Sequence, residues 1–216
     1  MGKDNIIDLM LETKIIPLFY EANKETARKL VDACYEGGAR VIEFTNRGDK
    51  AADVFADLIT YCNENYPNLA LGIGSIANKQ QVDQFVALGA HFLVSPFISE
   101  ELAEASKAHN ILWTGGCATL SEMNQANNWG VPLMKAFPGN ILGPSFIKAA
   151  KAPCPYFKIM PTGGVKPTED NLRSWFDAGA SCVGMGSQLF VKHEDGSFNI
   201  PKITELLKES IRIAHN

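Results

Sequence analysis

Val41-Ile42-Glu43-Phe44-Thr45-Asn46-Arg47 is a short apolar run with an acid at its centre. Side chains alternate faces along a β-strand, so Val41, Glu43 and Thr45 share one side and Ile42 and Phe44 the other. Ile and Phe suit a face packed on helices. Glu43 then points to the opposite, equally enclosed side. An ionised carboxylate there must be paired, raised in pKa, or both. A run that is apolar at consecutive positions is what a parallel strand covered on both faces requires.

Seven further runs of this kind flank it: Ile15–Tyr20, Leu69–Gly74, Phe92–Ser95, Ile111–Thr114, Leu133–Phe137, Phe157–Met160 and Cys182–Met185, with Ala39–Thr45 as the second in order. Helical patterns near 24–36, 49–64, 78–88, 99–109, 119–128, 143–150, 168–178 and 201–214 separate and follow them. Gly-Gly-Ala at 37–39 and Gly-Ala at 89–90 and 179–180 stand where a helix ends and the next strand begins, which suits a left-handed C-cap. Eight β-then-α units in 216 residues predict one α/β domain over 1–216, a (β/α)₈ TIM barrel. The rival, a doubly wound open sheet, would want GxGxxG after the first strand, and none is present.

Apolar residues make up 46% of the chain and charged ones 20%, with a net charge of −4 and no basic stripe. Nucleic acid and an anionic membrane surface are therefore excluded as expected partners. An anionic small molecule would need positive groups local to a pocket. Met1-Gly2-Lys3-Asp4-Asn5-Ile6 lacks the basic-then-apolar order of a signal peptide, and no apolar stretch is long enough for a membrane span. The five cysteines are scattered and never spaced CxxC, which reads as reduced thiols of a cytoplasmic protein. The four histidines show no HxxxH or HxH spacing, so no metal is expected.

In a barrel, chemistry collects at the carboxyl ends of the strands. Leu133-Met134-Lys135-Ala136-Phe137-Pro138-Gly139 places Lys135 inward with Leu133 and Phe137. An amine among apolar groups is expected to lose its proton more easily, as a Schiff-base nucleophile must. The bland alternative is a lysine that only neutralises Glu43. Lys158 is the rival nucleophile, but it precedes the loop glycine Gly163 by five residues and should sit near the wrong end of the barrel. Thr162-Gly163-Gly164 and Gly184-Met185-Gly186-Ser187 follow the seventh and eighth runs, where barrels commonly bind phosphate on backbone N–H groups. A lone Gly-Gly is usually a turn; two such loops on these two strands are more informative.

With these residues in place, the chain resembles the 2-keto-3-deoxy-6-phosphogluconate (KDPG) / 4-hydroxy-2-oxoglutarate (KHG) aldolases over nearly its whole length. The matching segments are 38–45, 72–78, Val94-Ser95-Pro96, 116–119, Lys135-Ala136-Phe137-Pro138, Met160-Pro161-Thr162-Gly163-Gly164 and Val183-Gly184-Met185-Gly186-Ser187. The set in this order is specific; each segment alone is not. The resemblance implies Lys135 as the Schiff-base lysine, Glu43 as the proton-transfer carboxylate, and Arg47 and Ser75 as ligands of the pyruvate carboxylate. It also implies Pro96 and Phe137 as substrate contacts, and Thr162, Gly163, Gly164, Gly186 and Ser187 at the phosphate end. A homotrimer with no metal and no organic cofactor is implied too.

The departures concern substrate more than chemistry. Phe19-Tyr20 stand where the family often has Arg, Gly115-Gly116 where it has Pro-Gly, Gly139-Asn140 where Glu is common, and Ser75 replaces Thr. The expected reaction is cleavage of KDPG to pyruvate and glyceraldehyde 3-phosphate, with 4-hydroxy-2-oxoglutarate as a second substrate. Alternatives are an aldolase for another 2-keto-3-deoxy sugar acid such as the 6-phosphogalactonate epimer, a phosphosugar epimerase or synthase, or a non-catalytic phosphosugar-binding barrel.

Overall fold

The computed structural model describes residues 2–216; Met1, the first residue of the segment read above for a leader, lies outside them. β1 (Ile15–Phe19), β2 (Val41–Thr45), β3 (Ala70–Gly74), β4 (Phe92–Val94) and β5 (Leu112–Thr114) pair in parallel in chain order. β6 (Gly116–Cys117), β7 (Met134–Ala136) and β8 (Ile159–Pro161) form a second, three-stranded parallel sheet, and β9 (Val183–Met185) pairs with β1 at the edge of the first. Helices α2 (Lys24–Glu36), α3 (Ala51–Asn65), α4 (Lys79–Ala87), α5 (Glu100–Ala108), α6 (Leu120–Asn128), α7 (Gly139–Lys151), α8 (Glu169–Asp177) and α9 (Ile200–Ala214) follow the strands, and α1 (Lys3–Thr13) precedes them all. The result is an α/β single domain whose parallel sheet curls into a half-barrel.

Three features depart from the sequence expectation. The fifth run is broken at Gly115 into β5 and β6, so nine short strands replace eight. α7 begins four residues early and is two helices in one: Gly143, at φ 69° and ψ 172°, interrupts it just before Pro144. Proline tolerates the first turn of a helix but not its interior, so the second piece starts where the sequence reading placed the whole. Finally, α1 carries no counterpart among the eight expected helices.

Local chemistry explains why the remaining helices start and stop where they do. Asn23, Asn78, Ser99 and Thr119 each accept a hydrogen bond from a backbone N–H of the first turn, and Thr119 with Glu122 completes a capping box. Gly38, Gly89 and Gly179 take φ of 104°, 94° and 101° at the helix exits, the left-handed conformation that the Gly-Ala spacing predicted.

Two apolar layers result. Ile42, Phe44, Ile73, Leu93, Met134 and Ala136 face outward onto the helices. Ile16, Val41, Ala70, Phe92, Leu112, Leu133, Met160 and Cys182 face inward, where Ile6, Ile7 and Met10 of α1 pack on them. α1 thus plugs the amino-terminal end of the half-barrel. Three side chains buried to this degree stabilise its docking by roughly 1.5–3 kcal/mol each at most. Among the described residues no helix is long and apolar enough to cross a membrane.

Candidate active site

Val41 packs inside and Ile42 and Phe44 outside, so the alternation along β2 directs Glu43 to the inner face of the half-barrel. Leu133 and Met134 fix the same parity for Lys135 on β7. Glu43 stands two residues beyond Val41 and Lys135 two beyond Leu133, both of the plug layer, so each lies one inward position nearer the carboxyl end of its strand. They are 2% and 6% exposed, close to complete desolvation.

Glu43 Oε2 is buried with no hydrogen-bond partner. Burial pushes its carboxyl up from the usual carboxylate range, and the charge of Lys135 opposes that shift. Lys135 Nζ lies 4.9 Å from the centroid of the Phe137 ring. The structural ion pair weighed above is therefore not made: the carboxylate oxygen that would complete it is an orphan. Gly74 makes room for the acid, since a Cβ there would overlap Glu43 Oε1. Lys158 is exposed and precedes β8, on the side away from these groups.

Above this layer the carboxyl-end loops enclose a cavity of about 420 Å³. Arg47, Phe137, Thr162, Gly163, Gly164, Gly186 and Ser187 all line it, so seven of the residues singled out from sequence converge. Glu43 and Lys135 lie outside its wall, as do Ser75 and Pro96. Ser75 follows β3 with φ 63°, a left-handed conformation costly for a non-glycine residue and most often retained at functional positions. The Pro96 carbonyl packs where a side chain on Gly116 would go, which holds the β4 loop against β6.

Gly163 and Gly164 take φ of 96° and 74°, and the loop they form is braced by Gly139, whose N–H donates to the Thr162 carbonyl at 2.8 Å. The N–H groups of Gly164 and Ser187 reach no backbone acceptor among the described residues, which leaves them free for an anion. Thr162 Oγ1 is buried, unpartnered, and directed at Gly184.

The cavity also has walls that sequence reading did not assign: Leu18, Phe19, Tyr20, Thr45, Val165, Gln188, Phe190, Lys192 and Phe198. Leu18 and Thr45 could have been found from the alternation that found Glu43. Residues 188–198 belong to a loop and short hairpin with no period to read.

These features define an α/β protein with a buried carboxylate and a buried amine beneath an anion-ready, carboxyl-end cavity. The family model for KDPG and KHG aldolase matches residues 6–206. The chain belongs to that family of carbon–carbon lyases. It is 29% identical over 205 residues to the 2-dehydro-3-deoxy-phosphogluconate aldolase of Pseudoalteromonas atlantica, covering 94% of this chain and 93% of that one. Over 121 residues it is 35% identical to the 2-dehydro-3-deoxy-6-phosphogalactonate aldolase of Escherichia coli, covering 56% and 58%. Among solved structures, the KDPG aldolase of Legionella pneumophila, with pyruvate captured as a covalent carbinolamine, superposes with a TM-score of 0.83 at 28% identity, over 93% and 95% of the two chains.

Proposed function

We propose that this chain is a Schiff-base (class I) aldolase that cleaves KDPG to pyruvate and glyceraldehyde 3-phosphate, and 4-hydroxy-2-oxoglutarate to pyruvate and glyoxylate. The observation that carries the reading is the juxtaposition of a desolvated, unpaired Glu43 and a buried Lys135 under one cavity. Lys135, in its neutral form, attacks the C2 ketone while Arg47 and Ser75 hold the carboxylate. Loss of water gives a protonated imine, an electron sink for the pair released from the C3–C4 bond. Glu43 takes the C4 hydroxyl proton as that bond breaks, and the aldehyde departs. The enamine left on Lys135 is protonated at C3 by the acid so formed. Water then hydrolyses the imine, freeing pyruvate and the amine.

A carboxyl raised by burial suits the first of these duties, because its carboxylate takes up a proton more readily than it would in water and then holds that proton in place for the enamine. Pro96 and Phe137 contact the keto-acid half, and Thr162, Gly163, Gly164, Gly186 and Ser187 receive the phosphate. The partial match to the phosphogalactonate enzyme favours a second reading, in which the C4 epimer is the substrate. Assaying the two phosphorylated epimers side by side decides between them: release of pyruvate from only one identifies the substrate, and release from neither refutes the aldolase assignment.

The fold reading goes further as well. We propose that the two sheets close into one (β/α)₈ ring over 1–216, supported at one seam by the parallel bridge of Thr162 to Gly184 and the Ser181 N–H to Ile159 carbonyl bond of 2.8 Å. Continuity of β5 and β6 through Gly115 supports the other seam. A cytoplasmic homotrimer is proposed likewise. Exposed Phe97 after β4, Leu120 at the start of α6 and Ile141 in the first turn of α7 support self-association, and four thiols (Cys34, Cys62, Cys117 and Cys182), each pushed up by burial, support a reducing compartment. Light scattering at the mass of one chain would refute the trimer.

A further inference from the structure

Two cationic side chains line the cavity, Arg47 after β2 and Lys192 in the loop after β9. β1 lies between those strands, so at a spacing of about 4.8 Å per strand the two loops leave the sheet roughly 10 Å apart. One cation is thus set on each side of the mouth, which matches a ligand that carries an anionic group at both ends.

Lys192 is also held in place. Residues 191–199 fold back as a small antiparallel hairpin: Lys192 bridges Phe198, His193 N–H donates to the Ser197 carbonyl at 2.8 Å, and Asn199 N–H donates to the Val191 carbonyl at 3.0 Å. The turn passes through Gly196 at φ 84°, and Asp195 pins it by accepting from both the N–H and the hydroxyl of Ser197. Lys192 Nζ sits 4.6 Å from the centroid of Phe198, itself a wall of the cavity. That stacking is worth little at an exposed site, but it sets the ammonium of exposed Lys192 beside a residue of the cavity wall. The same loop begins at Gly186-Ser187, beside the Gly163-Gly164 turn. Nearby acids do not neutralise the lysine: Asp195 is spent on Ser197, and no ion pair to Lys192 forms among the described residues.

We infer that Lys192 is a specificity-determining residue, the side-chain cation that recognises the phosphate-bearing end of the substrate and selects phosphorylated over unphosphorylated keto acids. This rests on the aldolase reading above. It adds to the backbone donors a charge that they lack, and a charge-assisted contact of this kind strengthens binding on the order of tenfold to a hundredfold.

The test compares wild type with Lys192→Ala and Lys192→Arg, using inorganic phosphate binding by calorimetry, kcat/KM on phosphorylated and unphosphorylated keto acids, and borohydride trapping with pyruvate. The expected result for Lys192→Ala is tenfold or more weaker phosphate binding and an equal fall in the ratio of kcat/KM for phosphorylated over unphosphorylated substrate. Lys192→Arg should restore most of both. Unchanged phosphate affinity, or kcat/KM falling equally on both substrates, overturns the inference. If wild type traps no pyruvate, the aldolase reading fails, and the phosphate-binding arm still decides whether Lys192 is an anion ligand.

Discussion

Gly74 and Glu43 share one volume: Oε1 of Glu43 occupies the space that a Cβ at residue 74 would fill. Gly74→Ala therefore acts on the acid without touching it chemically. The added methyl costs about 1–3 kcal/mol by overpacking, which a domain of this size can survive. Moving a proton-transfer group by even 1 Å lowers turnover on the order of 10²-fold. The expected outcome is a folded protein, by circular dichroism, that traps pyruvate with borohydride but cleaves substrate poorly. Normal turnover would mean that the position of Glu43 is not critical.

Lys135→Ala is expected to abolish both turnover and borohydride trapping, and Lys135→Arg to be equally inert, because a guanidinium stays protonated and is no nucleophile. Peptide mapping of the trapped wild type should find the pyruvyl adduct on the peptide holding Lys135. An adduct on exposed Lys158 would remove the mechanism.

Glu43→Gln should lower kcat by on the order of 10² to 10⁴ while imine trapping persists at least in part. It also has a stability signature. Burial raises the Glu43 carboxyl in the folded state, so between its ordinary pKa and the raised one the folded chain holds a proton that the unfolded chain has released. Stability therefore falls as pH rises through that window, and glutamine escapes the penalty. The melting temperature of Glu43→Gln relative to wild type should climb as pH is raised from below the ordinary carboxylate range. A constant difference across pH would show that the carboxyl is not raised.

Thr162→Val tests the orphan hydroxyl. Thr162 Oγ1 is buried without a partner, an arrangement that costs about 1–3 kcal/mol in the free protein. Removing the hydroxyl at nearly constant shape should hold or raise the melting temperature and at the same time raise KM for the phosphorylated keto acid. A melting temperature several degrees lower would mean that the hydroxyl is satisfied after all.

Period and parity made most of the scaffold legible. The alternation around Glu43 and Lys135 assigned inward and outward faces correctly because each strand is bounded by two different apolar layers, and the Gly-Ala pairs marked helix exits because only a left-handed residue fits there. α1 escaped notice although Ile6, Ile7 and Met10 have helical spacing, because a helix that precedes the first strand breaks the β-then-α rhythm being followed. Gly115 hid the break between β5 and β6 for a different reason: a single residue splits two pieces too short to show a period. At the site, strand-borne Glu43 and Lys135 could be placed by counting. Phe190, Lys192 and Phe198 could not, since a loop and a short hairpin carry no period that tells which side chains turn toward the cavity.

Ile6, Ile7 and Met10 stopper the amino-terminal end of the half-barrel, so on the proposed mechanism substrate and products pass through the carboxyl-end cavity. A pyruvate held on Lys135, as proposed, would lie at its inner end, beneath the cavity. The aldehyde must therefore depart first in cleavage and arrive last in condensation. Initial-rate kinetics in the synthetic direction should be ordered, with pyruvate binding before the aldehyde, and the aldehyde should protect the Lys135 imine from hydrolysis by standing between it and solvent.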